Sequence, residues 1–383
     1  MAPLPAGLLK QSFPLGAVPA DHPCLWGELA LRPAEPLLVE PDARLLPTRR
    51  TGQGELWWTS RKQGGLNSQG QPIEALNDFR GQRPIYPLPA GVGQAVGKAL
   101  GDGGKRRSLL LYGGTVFEHF GHLLLDLSRL YRLLPLFRRS REPIWFHYPA
   151  LQESDRIDHP LVLAWLTCLG IRKRARVVRR TLHTEQLVSS PVLYRDRCYV
   201  SEDFPRAAQG ALAPKLRRQL LALEPEATPI AYLSRHRLNS GTTCFEGERE
   251  VVEALGKLAN VDVICPEELS IEAKLGLYRR YRLVTGFVQA AMLLKYFVPP
   301  GRSGGLAEQV LLVAGQQSLN SNWVNLERAY GFGDRMVDCS LASQAPQEPE
   351  AGEIAPGPGA GFQRHHSFNV GLVIDTVRDL AGR

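Results

Sequence analysis

The chain has 383 residues, 44% of them apolar, with a net charge of +8 and a pI near 9.3. That apolar share excludes a disordered or fibrous chain, and the length exceeds one typical core and points to two domains. The positive balance favours anionic partners: nucleotides, phosphorylated substrates, anionic lipid or nucleic acid.

Residues 1–100 are rich in proline and glycine, with short apolar runs such as PLLVE and GELWWTS, and predict short strands and long loops. The opening MAPLPAGLLKQSFPLGAVPA has no basic stretch followed by a continuous apolar run, so no secretory leader is expected. Regular order begins at RRSLLLYGG (106–114), a buried strand and a glycine turn, followed by a helix over VFEHFGHLLLDLSRLYRLLP (116–135). Leu123, Leu124, Leu127, Leu130, Tyr131 and Leu134 recur at the helical period and mark its buried face. Then come a strand (143–148), a helix (159–171), a strand (175–180) and a strand or loop (185–193). Six of the ten residues in IRKRARVVRR (171–180) are basic, and FRRSR (137–141) adds three more. This is either a solvated basic face or a docking surface for anionic lipid or a polyanionic acceptor.

A charged helix within 213–227 leads to a boundary near 228. Beyond it the pattern alternates: strand 229–235, helix 246–259, strand 261–266, helix 270–280, strand 281–286, helix 288–297, strand 308–315, helix 322–331, strand 335–339. Strands alternating with helices indicate a doubly wound parallel sheet. Residues 342–363 read as a Pro/Gly/Glu linker and 364–383 as a closing helix. The expected organisation is 1–105 packed on or part of the first domain, 106–228 and 229–341 as two Rossmann-like domains, then linker and helix. The cysteines, Cys24, Cys168, Cys198, Cys244, Cys265 and Cys339, form no C-x-x-C pair and read as reduced, hence cytosolic. The most apolar long window, 283–298, carries Gln289 and Lys295 and is too short to span a bilayer, so membrane contact would be peripheral.

Ligands bind open α/β sheets outside the carboxyl ends of the strands. There Ser234, Arg235 and Arg237 of SRHR suit a pyrophosphate clamp, arginine offering paired donors in fixed geometry. Gly286 permits a tight turn before a helix start, which favours anions. Glu267 or Glu268 could hold ribose hydroxyls, or serve only at the start of a helix capped by Ser270. On the 116–135 helix His119, His122 and Asp126 share a side. His122 and Asp126 are four residues apart, so the carboxylate can orient the imidazole as a general base, and Glu118 is four residues to the other side. A metal reading of Glu118, His119 and His122 lacks further ligands, and a purely packing role for His122 stays open. The chain has no D-x-D.

Several of these segments resemble glycosyltransferase family 61, the capsular polysaccharide biosynthesis type of bacteria. GHLLLDLSRLYRL resembles the family's N-Y-x-H-[FW]-L-L-D-x-L-P-R-L, YLSRHR its Y-I-S-R strand, GEREVVEAL its N-E-x-E helix and VICPEELSIEAK its V-x-P-E-x-L-S segment. NWVNLERAYG and FNVGLVIDTVRDL are similar to its closing helices. The family's G-x-H-G is here Gly286, Phe287, Val288 and Gln289, its E-Q is Ala273-Lys274, and the N of its first motif falls at His119. The resemblance implies a GT-B-like α/β fold, two Rossmann-like doubly wound domains facing across a cleft. It implies an inverting, metal-independent transfer from a nucleotide-sugar, usually a UDP-sugar, to a glycan or lipid-linked glycan. His122, Asp126 and Glu118 would be catalytic and His119 would bind acceptor. Ser234, Arg235, Arg237, Glu267, Gly286 and Gln289 would bind donor. No cofactor, metal or nucleic-acid partner is expected. The setting would be the bacterial cytoplasm, peripherally at the inner membrane face. The alternative is a non-catalytic scaffold in a polysaccharide assembly complex, suggested by Val288 and Gln289.

Overall fold

The structure, a computed structural model, describes residues 12–50, 61–89, 106–149, 156–226, 228–239, 241–301, 305–341 and 362–382. GELWWTS and nearly all of the expected 342–363 linker lie outside them. The chain divides into two compact units, one of Ala30–Pro214 and one of Met1–Leu29 with Lys215–Arg383. The division falls before the boundary expected near 228, and the first 29 residues count with the C-terminal unit.

In the Ala30–Pro214 unit one six-stranded sheet runs in the order Ala175–Val177, Ile144–His147, Arg107–Thr115, Leu182–Ser189, Leu38–Arg50, Arg61–Leu66. The first four are parallel and the last two are added antiparallel. Counted along the chain the parallel strands stand 3-2-1-4, the arrangement of a doubly wound half-sheet, with its topological switch between Arg107–Thr115 and Leu182–Ser189. Leu38–Arg50 was hidden in the sequence by Pro41 and Pro47. Pro47 sits at the irregularity between Leu46 and Arg49, where a missing N–H costs no ladder bond. The two glycines at 113–114 lie within the Arg107–Thr115 strand, at a register shift against Ile144–His147, and do not make the expected turn. Ala43, Leu45, Leu110, Tyr112 and Leu187 form the core on this sheet.

The other unit carries a sheet in the order Ser12–Pro14, Arg335–Asp338, Glu308–Val313, Leu283–Phe287, Ile230–Leu233, Val261–Ile264. Its last five strands are parallel and stand 5-4-3-1-2 along the chain, while Ser12–Pro14 joins antiparallel. The switch point lies between Ile230–Leu233 and Leu283–Phe287. Val251 and Leu255 of helix Glu248–Leu255, with Val373 and Val377 of helix Val370–Ala381, pack with Ile230, Phe287, Leu312 and Val337. A parallel pair, Gly241–Glu246 with Phe362–Ser367, was not expected. The segment expected as a helix over 288–297 is a 3₁₀ helix, Ala290–Phe297. Every residue from Ala291 to Phe297 is buried, so tertiary contacts decide its winding. Among the described residues no helix is long and apolar enough to cross a membrane.

This 3₁₀ helix carries a buried cation into the core, where Lys295 pairs with Asp334. The same carboxylate accepts from Gln309 N at 3.0 Å, and Glu327 Oε1 accepts from Gly333 N at 2.6 Å and Asp334 N at 3.3 Å. Burial, and next the charge of Asp334, push Glu327 from 4.5 up to about 7. A carboxyl whose folded pKa is raised opposes folding once ionised, so this contribution is lost as pH rises from about 4.5 to about 7. Glu327→Gln keeps an acceptor and removes the charge. Its stability relative to the parent should therefore improve across that window, read as urea midpoints below and above it. A midpoint difference independent of pH would remove this assignment.

Candidate functional site

Arg107–Thr115 leaves its sheet at the switch point, and residues 116–119 lead into helix Phe120–Asp126. The single helix expected over 116–135 is two: Leu127, with φ −74° and ψ 12°, separates Phe120–Asp126 from Ser128–Arg139. The break is held from outside, since Ser128 Oγ accepts from Leu193 N at 3.1 Å. The expected apolar face is as read, with Leu123, Leu124, Leu127, Leu130, Tyr131 and Leu134 fully buried.

The polar residues find partners that the spacing alone did not indicate. His122 Nδ1 stands 3.5 Å from Asp126 Oδ2, but Arg80 Nη2 stands 2.7 Å from the same oxygen. Arg80 also lies over the Phe117 ring, 4.7 Å from its centroid. Glu118 accepts from Tyr148 Oη at 2.6 Å, so its carboxylate is held by the phenol and not by His122. His119 is exposed at the N-cap position, its ring centroid 5.1 Å from that of His122. Asp196 and Arg197 sit in the turn between Tyr194–Arg195 and Tyr199–Ser201. There Asp196 accepts from Tyr194 Oη at 2.9 Å and from Arg197 Nε at 3.1 Å. Arg197 takes a left-handed φ of 57°, a conformation that a non-glycine residue adopts at a cost.

These neighbours set the charge states. Burial first, then Arg80, His119 and Arg197, lower His122 well below the ordinary histidine value of 6.5. The side chain keeps 36% of its surface open. Solvent there moderates the effect without reversing it, because burial and the charges of Arg80 and Arg197 act in the same direction. The ring is thus neutral near neutral pH, with a lone pair to offer. Burial raises Asp126 to about 7, with Arg80 pulling the other way.

In the other unit the candidates gather at the second switch point. Ser234 and the main chain of Arg235 follow Ile230–Leu233 and are anchored by Glu248, which sequence reasoning missed. Its Oε1 accepts from Arg235 N at 3.0 Å, Ser234 Oγ at 3.2 Å and Tyr232 Oη at 3.4 Å. Glu248 opens a helix after Gly247, and the available signal was an acid in a first turn. Arg235 is half-buried, and its Nε has no hydrogen-bond partner among the described residues. Arg237 is exposed and paired with Glu268, while Glu267 is exposed beside it in the Pro266–Glu268 turn. Ser270 caps the following helix, accepting from Ala273 N at 3.1 Å. Gly286 has φ 148°, and a Cβ there would lie 2.4 Å from Leu233 O, so strand-to-strand approach requires glycine. Gln289 is buried and its Nε2 donates to Leu233 O at 2.9 Å, joining the two strand ends.

Among the described residues, His22, Cys24 and Asp338 are the one group close enough to share a metal ion. His22 Nδ1 accepts from Cys24 N at 3.2 Å, which places the ring proton on Nε2, facing Asp338 Oδ2 at 3.9 Å. That tautomer suits a histidine–carboxylate pair and opposes ligation through Nε2.

Residues 120–304 match the family model for glycosyltransferase 61. No curated protein matches the chain. The matched stretch begins at the first residue of the His122 helix and runs past Gln289, so it contains residues from both switch points. The chain is accordingly an enzyme, a glycosyltransferase.

Asp126 is 6% exposed and Arg80 19%, so above about pH 7, where Asp126 is ionised, breaking their pair should cost roughly 3–5 kcal/mol, and less at lower pH, where the carboxyl takes up a proton. Arg80→Leu should show that loss in chemical denaturation, and the double variant Arg80→Leu with Asp126→Leu should recover most of it. Additive losses would show that the two side chains are not coupled.

Proposed function

We propose that this chain, a glycosyltransferase by the family its residues 120–304 match, transfers a sugar from a nucleotide-sugar, a UDP-sugar being the first expectation, to a glycan or lipid-linked glycan with inversion at the anomeric carbon. The observation that carries the reading is placement. Each unit has a mainly parallel sheet, and the candidate side chains gather at the topological switch of each one, where open α/β sheets bind ligands. The reading assigns a GT-B-like division of labour, with acceptor chemistry on Ala30–Pro214 and donor binding on the other unit. The setting that fits is bacterial polysaccharide biosynthesis at the cytoplasmic face of the membrane.

Inversion requires one base to take the acceptor's hydroxyl proton as its oxygen attacks the anomeric carbon, and positive charge to hold the departing diphosphate. His122 is suited to the first role: its ring is partly open to solvent, and burial with its cationic neighbours keeps it neutral. Asp126 acts through Arg80 as much as through His122 and is a positioning residue, as is Glu118 through Tyr148. His119, exposed beside His122, is placed to meet the acceptor. For the diphosphate, the Arg235 Nε is a buried donor with its hydrogen-bonding capacity unspent. Ser234, Gly286 and Gln289 shape the strand ends around it, and Arg237 and Glu267 lie at the exposed margin. Arginine in place of a cation-binding D-x-D makes the proposed transfer metal-independent.

Thermal-shift titrations with UDP, GDP, CMP and ADP, each with EDTA and with Mg²⁺, test the reading. A nucleotide at about 100 times its Kd adds roughly 2.7 kcal/mol of stability. Stabilisation by one nucleotide, unaffected by EDTA, is the expected result, and no shift with any of them would overturn the donor assignment. Arg235→Ala should weaken binding of that nucleotide by about 1.5–3 kcal/mol, as for a lost charged hydrogen bond.

His122→Ala should lower kcat by about two to four orders of magnitude while nucleotide binding is retained. In the parent enzyme the acid limb of the kcat profile should fall below 6.5, because the folded environment disfavours the imidazolium. An acid limb above 6.5, or full turnover in the alanine variant, would remove His122 as the base.

A further inference from the structure

The basic run at 171–180 has no part in the proposed reaction, and the structure separates its members. Arg174 is spent on the fold: its Nε and Nη2 donate to Glu142 O at 3.0 and 2.6 Å, and its Nη1 bonds Phe137 O. Arg172, Arg176 and Arg179 line, with Arg156, a recess of about 300 Å³, and Arg176 Nη1 also donates to Lys173 O at 3.0 Å and Ala175 O at 2.8 Å. All four of these arginines are exposed. The floor is aliphatic, with Leu163 and Leu166 from helix Pro160–Cys168 and Val177 from Ala175–Val177, the edge strand of the sheet. Among the described residues no carboxylate lines it, and the nearest in sequence is the exposed Asp158.

We infer that this recess seats the phosphate headgroup of an anionic phospholipid at a bilayer surface. A volume near 300 Å³ is at the small end of ligand pockets and accommodates a headgroup rather than a whole lipid. Guanidinium forks match phosphate oxygens in pairs, and four around one opening form a cationic rim with no acid among the described lining residues. The aliphatic floor decides between anions. A polynucleotide would use aromatic side chains for base stacking, and the described lining residues include none. A free phosphate or sugar phosphate would satisfy the rim and leave the half-buried Leu163 and Val177 facing water. An amphiphile uses both, its phosphate on the arginines and its first methylene groups on the floor. With no spanning helix among the described residues, such contact holds the enzyme peripherally.

The test is flotation of the full chain with phosphatidylcholine vesicles and with mixed phosphatidylcholine–phosphatidylglycerol vesicles. Binding to the mixed vesicles alone is expected, and it should weaken as salt rises. Replacing two rim charges, R172Q with R176Q, should weaken partitioning about thirty-fold, since each basic residue near an anionic surface contributes about one kcal/mol. The control K215Q with R218Q removes the same charge from exposed positions on another helix and should bind like the parent. Equal loss in both variants would show attraction by net charge alone and overturn the site. So would the absence of binding to mixed vesicles, or full competition by inorganic phosphate, which would mark a free-anion site. Retention on duplex DNA in preference to vesicles would equally overturn it. The inference is independent of the transfer reaction: nucleotide-induced thermal stabilisation should be unchanged in R172Q with R176Q, so failure of one reading leaves the other standing.

Discussion

A guanidinium sealed from water must find its partners inside the protein, and Arg129 is wholly buried. Its Nη1 donates to Ala75 O and Ser190 O, both at 2.9 Å, and its Nη2 to Asn77 O at 3.0 Å and Asp78 Oδ1 at 3.3 Å. One side chain on helix Ser128–Arg139 thereby pins the 75–78 segment against the end of the strand Leu182–Ser189. Its stem passes so close to Gly114 that a Cβ there would meet it at 3.0 Å, which ties the bulged strand Arg107–Thr115 into the same anchor. The short strand Asp78–Arg80 starts at the pinned carboxylate and ends at the arginine that pairs with Asp126. The environment of His122 is therefore fixed by an anchor on the helix that follows it.

That dependence explains what could and could not be read from the sequence. The leucine face of 116–135 follows from periodicity, and every residue named for it is buried. The polar side was legible only as a set of candidates. Spacing places Glu118 and Asp126 each four residues from His122, but it does not rank local against distant partners. Tyr148 takes Glu118 and Arg80 takes Asp126, each at a shorter distance than His122 achieves with Asp126. Arg80, Tyr148, Asp196 and Arg197 come from strand ends and turns, where no period marks a residue as facing a site. Leu38–Arg50 was missed for a related reason, since its prolines argue locally for loop while the sheet accommodates Pro47 at an irregularity and keeps Pro41 in register opposite Gln186.

In the second unit the strand ends were visible because alternation of strands and helices fixes where they fall. The SRHR and TGF segments do meet at one switch point. What escaped was the mortar between them. Glu248 gathers donors from Tyr232, Ser234 and Arg235, and Gln289 spans Leu233 and Phe287 with its amide. Both are long-range side-chain contacts to a strand end, which one-dimensional patterning does not encode. The winding of Ala290–Phe297 escaped for a different reason: a wholly buried segment has no polar face from which a period could be taken.

Gln289 stands where the family pattern has glycine, and its bond to Leu233 O shows what the exchange accomplishes. The amide caps a carbonyl that a glycine would leave to water or ligand. The turn that follows is 3₁₀, whose hydrogen bonds are less well aligned than those of an α-helix, so its start is a weaker source of positive potential. Even a full α-helix presents only about half an elementary charge at its N-terminus. Arg235 brings a whole charge, on a side chain fixed at its main chain by Glu248 and with an unspent buried Nε. On the proposed reading, then, the burden of holding a departing diphosphate moves from the loop after the third strand to the arginine after the first. The exchange at 289 is thus compatible with catalysis, because the charge that the reaction needs comes from the other side of the same switch point.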